Sequence, residues 1–440
     1  MTEIAGVLAS AARTLTPGKG EERKLAMVEE KVLARVNAEA EKYPEVRGVI
    51  TGGSYAKGTW LPDDVDIDIF VKISPDVDSE RFEEVGLKVG GGAVRGYKHG
   101  KMYAQHPYTE ATVDGVKVNI VPCYDVRPGE WKSAADRSQF HVAFVKENLG
   151  PEAKTQVRML KKFMRVIGVY GAEIEKEGFS GYAAEVLVHR EGGFWQVLEH
   201  FAGLKTGAGG LISLVDPIDS QRELAKAISA ESVARMALAS RAFVGRPSMA
   251  FFKQVRGRPH PRLQGSLYAI VFTHKEMSED TLWGELKRST KQVTKHVESG
   301  GFMVARSVAA SDNSRSSAII LLPEVIGLPG LERRVGPEVG RAKEAAAFIS
   351  KNRAKAELTW VGQDGRLHML MRRRDVSLSS LLASVVDGGA KGLGVSREIA
   401  SGMAKTGRVL TGEKLSRECR KEAWLRRAVL FVTSDSIGVD

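Results

Sequence analysis

Cysteine is scarce in this chain. Cys123 and Cys419 are the only thiols in 440 residues. Two distant thiols make no disulfide framework and no cysteine-based zinc site, and they fit a reducing compartment. Long apolar runs are also lacking. No stretch approaches the roughly 20 residues that cross a bilayer, and the N-terminus has no apolar signal core. There is no internal repeat and no low-complexity tract, and the histidines do not cluster with the cysteines. These absences exclude a disulfide-stapled secreted domain, a zinc ribbon and a helical membrane protein, and lead to the expectation of a cytoplasmic chain. Apolar residues at 43% suffice for a sizeable core, and the length predicts about two to four domains. The net charge is +11, with the excess spread along the chain. A basic globular protein commonly has a polyanionic partner.

The segment Glu21–Tyr43 carries Leu25, Val28, Val32, Leu33 and Val36 at helical spacing. A strand at Val46–Ile50 runs into Thr51-Gly52-Gly53-Ser54, and a second strand covers Val65–Ile73. A charged helix is expected at Ser79–Val89, then a glycine-rich stretch to Gly96, then short strands, one of them Val116–Val121 ending at Pro122. From Pro151 to about Leu204 the pattern is helical, and a further helix, Ala230–Val244, stops before Pro247. Prolines, glycines and arginines at 256–265 mark a linker. Beyond it, strand Leu267–Thr273, helix Asp280–Glu298 and strands Phe302–Val308 and Ala318–Leu322 predict a small α+β sandwich. Helices follow at Arg341–Asn352 and Ser377–Val386, then a basic helical tail whose last residues, Ser434–Asp440, are expected to fray. The six tryptophans are expected mostly in cores or interfaces.

The chemistry is concentrated in Gly52-Gly53-Ser54-Tyr55-Ala56-Lys57-Gly58-Thr59-Trp60-Leu61-Pro62-Asp63-Asp64-Val65-Asp66-Ile67-Asp68-Ile69-Phe70. Side chains alternate along a strand. Val65, Ile67 and Ile69 therefore share an apolar face, while Asp66, Asp68 and Phe70 share the other. Two carboxylates held side by side repel unless a cation lies between them. Mg²⁺ suits such a pair because it takes one or two carboxylates plus water and phosphate oxygens. Glycines at 52 and 53 let backbone approach a phosphate. Ser54 is a donor, and Lys57 a cation, for the same triphosphate. A bare Asp-x-Asp is ordinarily an acidic edge strand. Gly-Gly-Ser ending twelve residues before Asp66 shifts the reading to a nucleotide site.

The pattern Gly-Ser-x-Ala-Lys-x-Thr-Trp-Leu followed by Asp-x-Asp resembles the signature of the archaeal, class I CCA-adding enzymes, which are tRNA nucleotidyltransferases. The likeness continues through His106-Pro107-Tyr108, Val121-Pro122-Cys123-Tyr124 and Ser133-Ala134-Ala135-Asp136-Arg137-Ser138-Gln139-Phe140-His141. It resumes at Gly168-Val169-Tyr170-Gly171, Gly178-Phe179-Ser180-Gly181-Tyr182, Val215-Asp216-Pro217-Ile218-Asp219, Arg333-Arg334-Val335-Gly336-Pro337, Ser350-Lys351-Asn352-Arg353 and Gly412-Glu413-Lys414-Leu415. The resemblance implies a multidomain α+β protein. A nucleotidyltransferase (polymerase beta-like) head is expected at 1–145 and a helical neck and nucleotide- and tRNA-binding central domain at 146–255. A C-terminal tRNA-binding body and tail are expected at 266–440. It implies template-independent addition of C, C and A to tRNA from CTP and ATP, with Mg²⁺, by two-metal chemistry, in a homodimer. It also implies residue roles: Asp66 and Asp68 as metal carboxylates, Ser54 and Lys57 at the triphosphate, His141, Lys161 and Tyr170 at the nucleotide, and Arg222 at the incoming base.

One position departs from the pattern. The third family carboxylate falls at Asn119, which can ligate through its oxygen but cannot take a proton. Three explanations stand open: a native asparagine with the proton going to water or phosphate, an inactivating substitution, or compensation by a neighbour such as Asp114. An odd offset of five residues puts Asp114 on the opposite face of a regular strand. Two rival functions also remain: a poly(A) polymerase-like transferase, and a tRNA-binding protein with a dead head.

Overall fold

The computed structural model describes residues 2–62, 64–205, 212–253, 263, 265–388 and 390–434. The expected linker at 256–265 lies outside these residues except for Leu263 and Gly265, and so does the expected frayed end beyond Ser434. The chain divides into two compact units, Met1–Arg256 and Gly257–Asp435.

The first unit opens with two helices, α1 (Thr2–Leu15) and α2 (Lys19–Ala40). The sequence pattern had revealed only the second. A mixed sheet follows from β1 (Val46–Gly52), β2 (Asp66–Ile73), β3 (Lys98–Tyr103), β4 (Pro107–Val113) and β5 (Val116–Tyr124), in the order β1-β2-β5-β4-β3. Only β2 and β5 run parallel. Helix α3 (Gly53–Lys57) is a short turn between β1 and β2, and α4 (Ser79–Ala93) packs with α2 on the sheet. The alternation in β2 holds: Ile67 and Ile69 are fully buried in a core with Val28, Val32 and Phe82.

Two expectations are corrected here. Helix α4 does not stop at Val89 but continues through Gly90-Gly91-Gly92. Gly86 and Gly90 are close-contact positions on the sheet side of this helix. A Cβ at Gly86 would lie 2.7 Å from Pro122, and one at Gly90 would lie 2.4 Å from Thr109. The bare backbone lets α4 lie flat on the sheet. Strand β5 likewise passes through Pro122 to Tyr124. Its partner β4 pairs only as far as Ile120, so Pro122 faces a neighbour on one side alone, where a missing N–H is tolerated.

The rest of this unit is helical: α5 (Ser138–Asn148), α6 (Pro151–Val166), α7 (Gly181–Glu191), α8 (Phe194–Ala202) and α9 (Ala230–Gly245), with a small hairpin of β6 (Val215–Asp216) and β7 (Asp219–Glu223). Leu160, Phe163, Leu187, Phe194, Phe201 and Phe243 build their core, which α1 joins through Ala11 and Leu15. A helix buried all round is apolar all round. That describes α7, where Tyr182 through Val188 are all buried and one residue, Glu185, carries charge.

The second unit contains the expected strand–helix–strand–strand run as β8 (Tyr268–Thr273), helix Glu279–Ser299, β9 (Val304–Ser311) and β10 (Ser316–Pro323). Tyr268, Ile270 and Phe272 face a core with that helix, while Ala269 and Val271 face a second core with helix Ala423–Thr433. A three-stranded sheet of β11 (Leu331–Glu338), β12 (Ala356–Val361) and β13 (Arg366–Arg372), ordered β11-β13-β12, was not foreseen. Strand β11 reads Leu-Glu-Arg-Arg-Val-Gly-Pro-Glu and is mostly exposed, so it shows no alternating apolar face. Strand β14 (Arg408–Thr411) completes the larger sheet beside β8. Trp60, Trp283 and Trp424 are buried, as expected.

Candidate active site

The site begins with a turn that only glycine permits. Gly53 adopts φ +65°, and a Cβ there would sit 1.8 Å from the Asp68 carboxylate. At Gly52 a Cβ would collide with the Phe70 ring at 2.3 Å. The Gly-Gly pair therefore lays the α3 turn, with Ser54 in it, directly against Asp68.

On β2, Asp66 and Asp68 pair across the parallel ladder with Lys117 and Asn119 of β5. Asn119 Nδ2 donates to Asp68 Oδ1 at 2.9 Å. Lys117 Nζ lies 3.6 Å from Asp66 Oδ2 and 2.9 Å from Glu110 Oε2. Burial pushes the pKa of Asp68 up; the Asn119 hydrogen bond relieves this in part, and neighbouring Asp66 adds a smaller upward push. Burial likewise raises Asp66, only partly offset by Lys117. Asn119 Oδ1 is buried with no hydrogen-bond partner. Two carboxylates whose charge is disfavoured, beside an orphaned carbonyl oxygen, are a donor set that fits a divalent cation. Among the described residues, no three His, Cys, Asp or Glu side chains come together as a metal cage. Asp114, the compensating neighbour considered from sequence, sits in the β4–β5 turn at φ +50° and is held by Lys31 at 2.9 Å.

Facing this edge is a buried cluster centred on Glu185. Lys57 Nζ reaches its Oε2 at 2.9 Å, Lys161 Nζ reaches its Oε1 at 2.9 Å, and the Thr59 hydroxyl donates to Oε1 at 2.5 Å. Lys161 also donates to Thr59 O at 3.1 Å and Thr59 Oγ1 at 3.0 Å. Burial alone would raise the Glu185 pKa. The two lysines and the hydroxyl outweigh it and hold the acid down to about 2. Lys161 is 1% exposed and its three protons are all engaged, so in this state it positions Glu185 rather than presenting a free ammonium. A Cβ at Gly181 would lie 3.0 Å from Tyr170 Oη and 3.4 Å from Lys161 Nζ, which places Tyr170 beside the same cluster. Burial lifts the Tyr170 phenol to about 12.

A third group gathers on buried Asp216. It accepts from Tyr182 Oη at 2.9 Å, Arg222 Nη1 at 3.1 Å and the Ile218 N–H at 3.1 Å, and lies 3.2 Å from His141 Nε2. The His141 ring stacks on Tyr182 at 3.6 Å, and Lys57 Nζ lies 5.0 Å over the same tyrosine. Burial lowers the His141 pKa, Lys57 and Arg222 add to this, and Asp216 opposes it. The Ser133–His141 block explains the placement. Ser133 and Asp136 form a capping box, and fully buried Asp136 also accepts from the Tyr124 N–H at 2.8 Å. That bond ties the start of α5, and so His141, to the end of β5.

The structure thus gathers the sequence-predicted residues into three adjoining groups: Ser54 with Asp66, Asp68 and Asn119; Lys57 with Lys161 and Tyr170; His141 with Arg222. Sequence reasoning missed Glu185, Lys117 and Glu110, and assigned no role to Asp216. The signal for Glu185 was a lone charge inside the apolar run Tyr182–Val188.

Comparison with known proteins accounts for most of the chain. Residues 33–141 match the nucleotidyltransferase domain, 155–253 the tRNA nucleotidyltransferase second domain, and 264–412 the C-terminal domain of the CCA-adding enzyme. A CCA-adding enzyme of Pyrobaculum islandicum is 34% identical over 402 residues, covering 88% of this chain and 95% of that protein. One from Methanothermobacter thermautotrophicus is 32% identical over 400 residues, covering 85% and 87%. Among solved structures, CdnC of E. coli MS115-1 with ATP covers 56% of this chain and 94% of its own, at 16% identity and a TM-score of 0.42.

Proposed function

The chain belongs to the archaeal CCA-adding enzymes, and from that membership we propose how its first unit performs the reaction. The activity is template-independent addition of C, C and A to the 3′ end of tRNA from CTP and ATP, with pyrophosphate released. The observation that carries this reading is the pair Asp66 and Asp68, set beside Asn119 on adjoining strands and pressed against the Gly52-Gly53-Ser54 turn. Asp66, Asp68 and the Asn119 carbonyl oxygen hold the divalent cation, here Mg²⁺. Bound there, it supplies Lewis-acid charge at the α-phosphate and lowers the pKa of the attacking hydroxyl. Ser54 and Lys57 orient the triphosphate for in-line attack by the RNA 3′-OH. Lys161 keeps Glu185, and through it Lys57, in place. His141, its pKa lowered by burial, donates Nε2–H to Asp216 and leaves Nδ1 as an acceptor for the nucleotide, Tyr170 closes the pocket next to Lys161, and Arg222 faces the incoming base. The domain division at 1–145, 146–255 and 266–440, a homodimer and a cytoplasmic setting complete the proposal. The two free thiols, Cys123 and Cys419, agree with a reducing compartment.

The test is incorporation of labelled CMP and AMP into tRNA lacking its terminal CCA, with Mg²⁺. Addition of C, C and A followed by arrest is expected. Long tails from ATP alone would instead identify a poly(A) polymerase-like enzyme. Binding of tRNA with no incorporation under Mg²⁺ or Mn²⁺ would identify a binding protein with a dead head.

A further inference from the structure

Asn119 leaves the site one carboxylate short, and the sheet register shows where another stands. Glu110 of β4 is directly opposite Asn119 on β5. Directly paired residues project from the same face with Cβ atoms about 4.5–5.5 Å apart. One row across the sheet therefore reads Gly52, Asp68, Asn119, Glu110. The adjacent row carries Asp66 and Lys117. Glu110 is already joined to this charge system. Lys117 places its ammonium between Glu110 Oε2, at 2.9 Å, and Asp66 Oδ2, at 3.6 Å. A cation thus sits between the two acids, supplied by the chain itself. Glutamate is one methylene longer than aspartate, which extends its reach toward the Asp68–Asn119 side from one strand further out. The Glu110 and Lys117 side chains are 30% and 46% exposed, so neither is locked by packing. The Asn119 amide meanwhile uses its nitrogen to hold Asp68 and leaves its buried oxygen unpartnered between the two acid-bearing strands. No comparable claim attaches to Asp114, which is tied to Lys31 in the turn.

We propose that Glu110 supplies the third carboxylate that position 119 lacks, joining Asp66, Asp68 and the Asn119 carbonyl oxygen and releasing Lys117 when a divalent cation enters. Asn119 is then a working native residue that positions Asp68. The inference rests on the nucleotidyl-transfer reading of the site, and its test separates the two.

Mn²⁺ binding to the full chain, without nucleotide, is measured from the loss of the free-Mn²⁺ EPR signal. Wild type, Glu110→Gln, Asn119→Asp and the double variant are compared, with CMP and AMP incorporation and melting curves in parallel. Glu110→Gln keeps the side chain's shape, and its Mn²⁺ affinity and incorporation are expected to fall about tenfold or more. Adding Asn119→Asp to it should restore both. Wild-type affinity and incorporation in Glu110→Gln would overturn the proposal. So would a double variant as weak as Glu110→Gln, because a third carboxylate returned to the site would then have made no difference. If wild type incorporates nothing, the functional reading fails, while the Mn²⁺ comparison still decides the role of Glu110.

Discussion

Glu185 is a buried carboxylate and Asp68 a half-buried one in the same unit, and their surroundings push them in opposite directions. Glu185 has two lysines and a threonine hydroxyl within hydrogen-bond distance, and its pKa is held down to about 2. Asp68 has a neutral amide and a second aspartate, and burial raises its pKa. One acid carries its counter-charge within the fold. The other is left short of positive charge, which is the condition in which a cation from solution binds. The first kind of acid maintains architecture, and the second suits the metal chemistry proposed for it.

This contrast is sharpest in Asp68→Asn. On its proposed metal-binding role, losing this carboxylate removes several kcal/mol of transition-state stabilisation, so CMP incorporation should drop by about 10³-fold or more. Melting in EDTA should hold or rise, because one of two mutually repelling charges is gone. A large fall in melting temperature would break the comparison by making Asp68 structural.

Glu185→Gln is expected to behave in reverse. It leaves Lys57 and Lys161 buried without their counter-ion, which costs on the order of 3–5 kcal/mol and should show in calorimetry. Its pH signature follows from the depressed pKa. An acid whose folded value lies below its ordinary 4.5 contributes stability that is fully present above pH 4.5 and lost as the pH falls toward about 2. The wild-type acid limb should therefore be steeper than that of Glu185→Gln across this window. Equal limbs would show that the lysines do not hold Glu185 ionised.

The smallest effect is expected at Tyr182→Phe. It removes one of the hydrogen bonds that converge on Asp216 but keeps the ring stacked on His141. A loss of about 1 kcal/mol in stability and a change of only a few-fold in incorporation should follow. A hundredfold loss of incorporation would move Tyr182 from support to chemistry.

Much of this could be read from residue order alone. The alternation of Val65 to Phe70 announced a strand with one apolar and one acidic face, because side-chain direction along a strand depends only on its period. The helix at Glu279–Ser299 was equally legible, since its apolar stripe repeats at helical spacing. Strand β11 was not, because four of its eight residues are charged and its few apolar side chains are mostly exposed. The helix was ended too early, at the glycine-rich stretch, because the role of Gly90 is the closeness of a sheet that the local sequence does not mention.

By itself the sequence determined that a glycine turn precedes two metal-suited aspartates on one strand face and that blocks resembling the family run nearly the length of the chain; the resemblance in turn implied that a third carboxylate is missing at residue 119. Tertiary structure alone decided that Glu185 meets Lys57 across 128 positions, that Asp216 draws in His141, and that Glu110 stands opposite Asn119. The physical reason is the range of the interactions. Strand period and glycine conformation are local and are written residue by residue. The neutralisation of a buried charge depends on which distant segment packs against it, and that partner is set only when sheet register and helix packing close together.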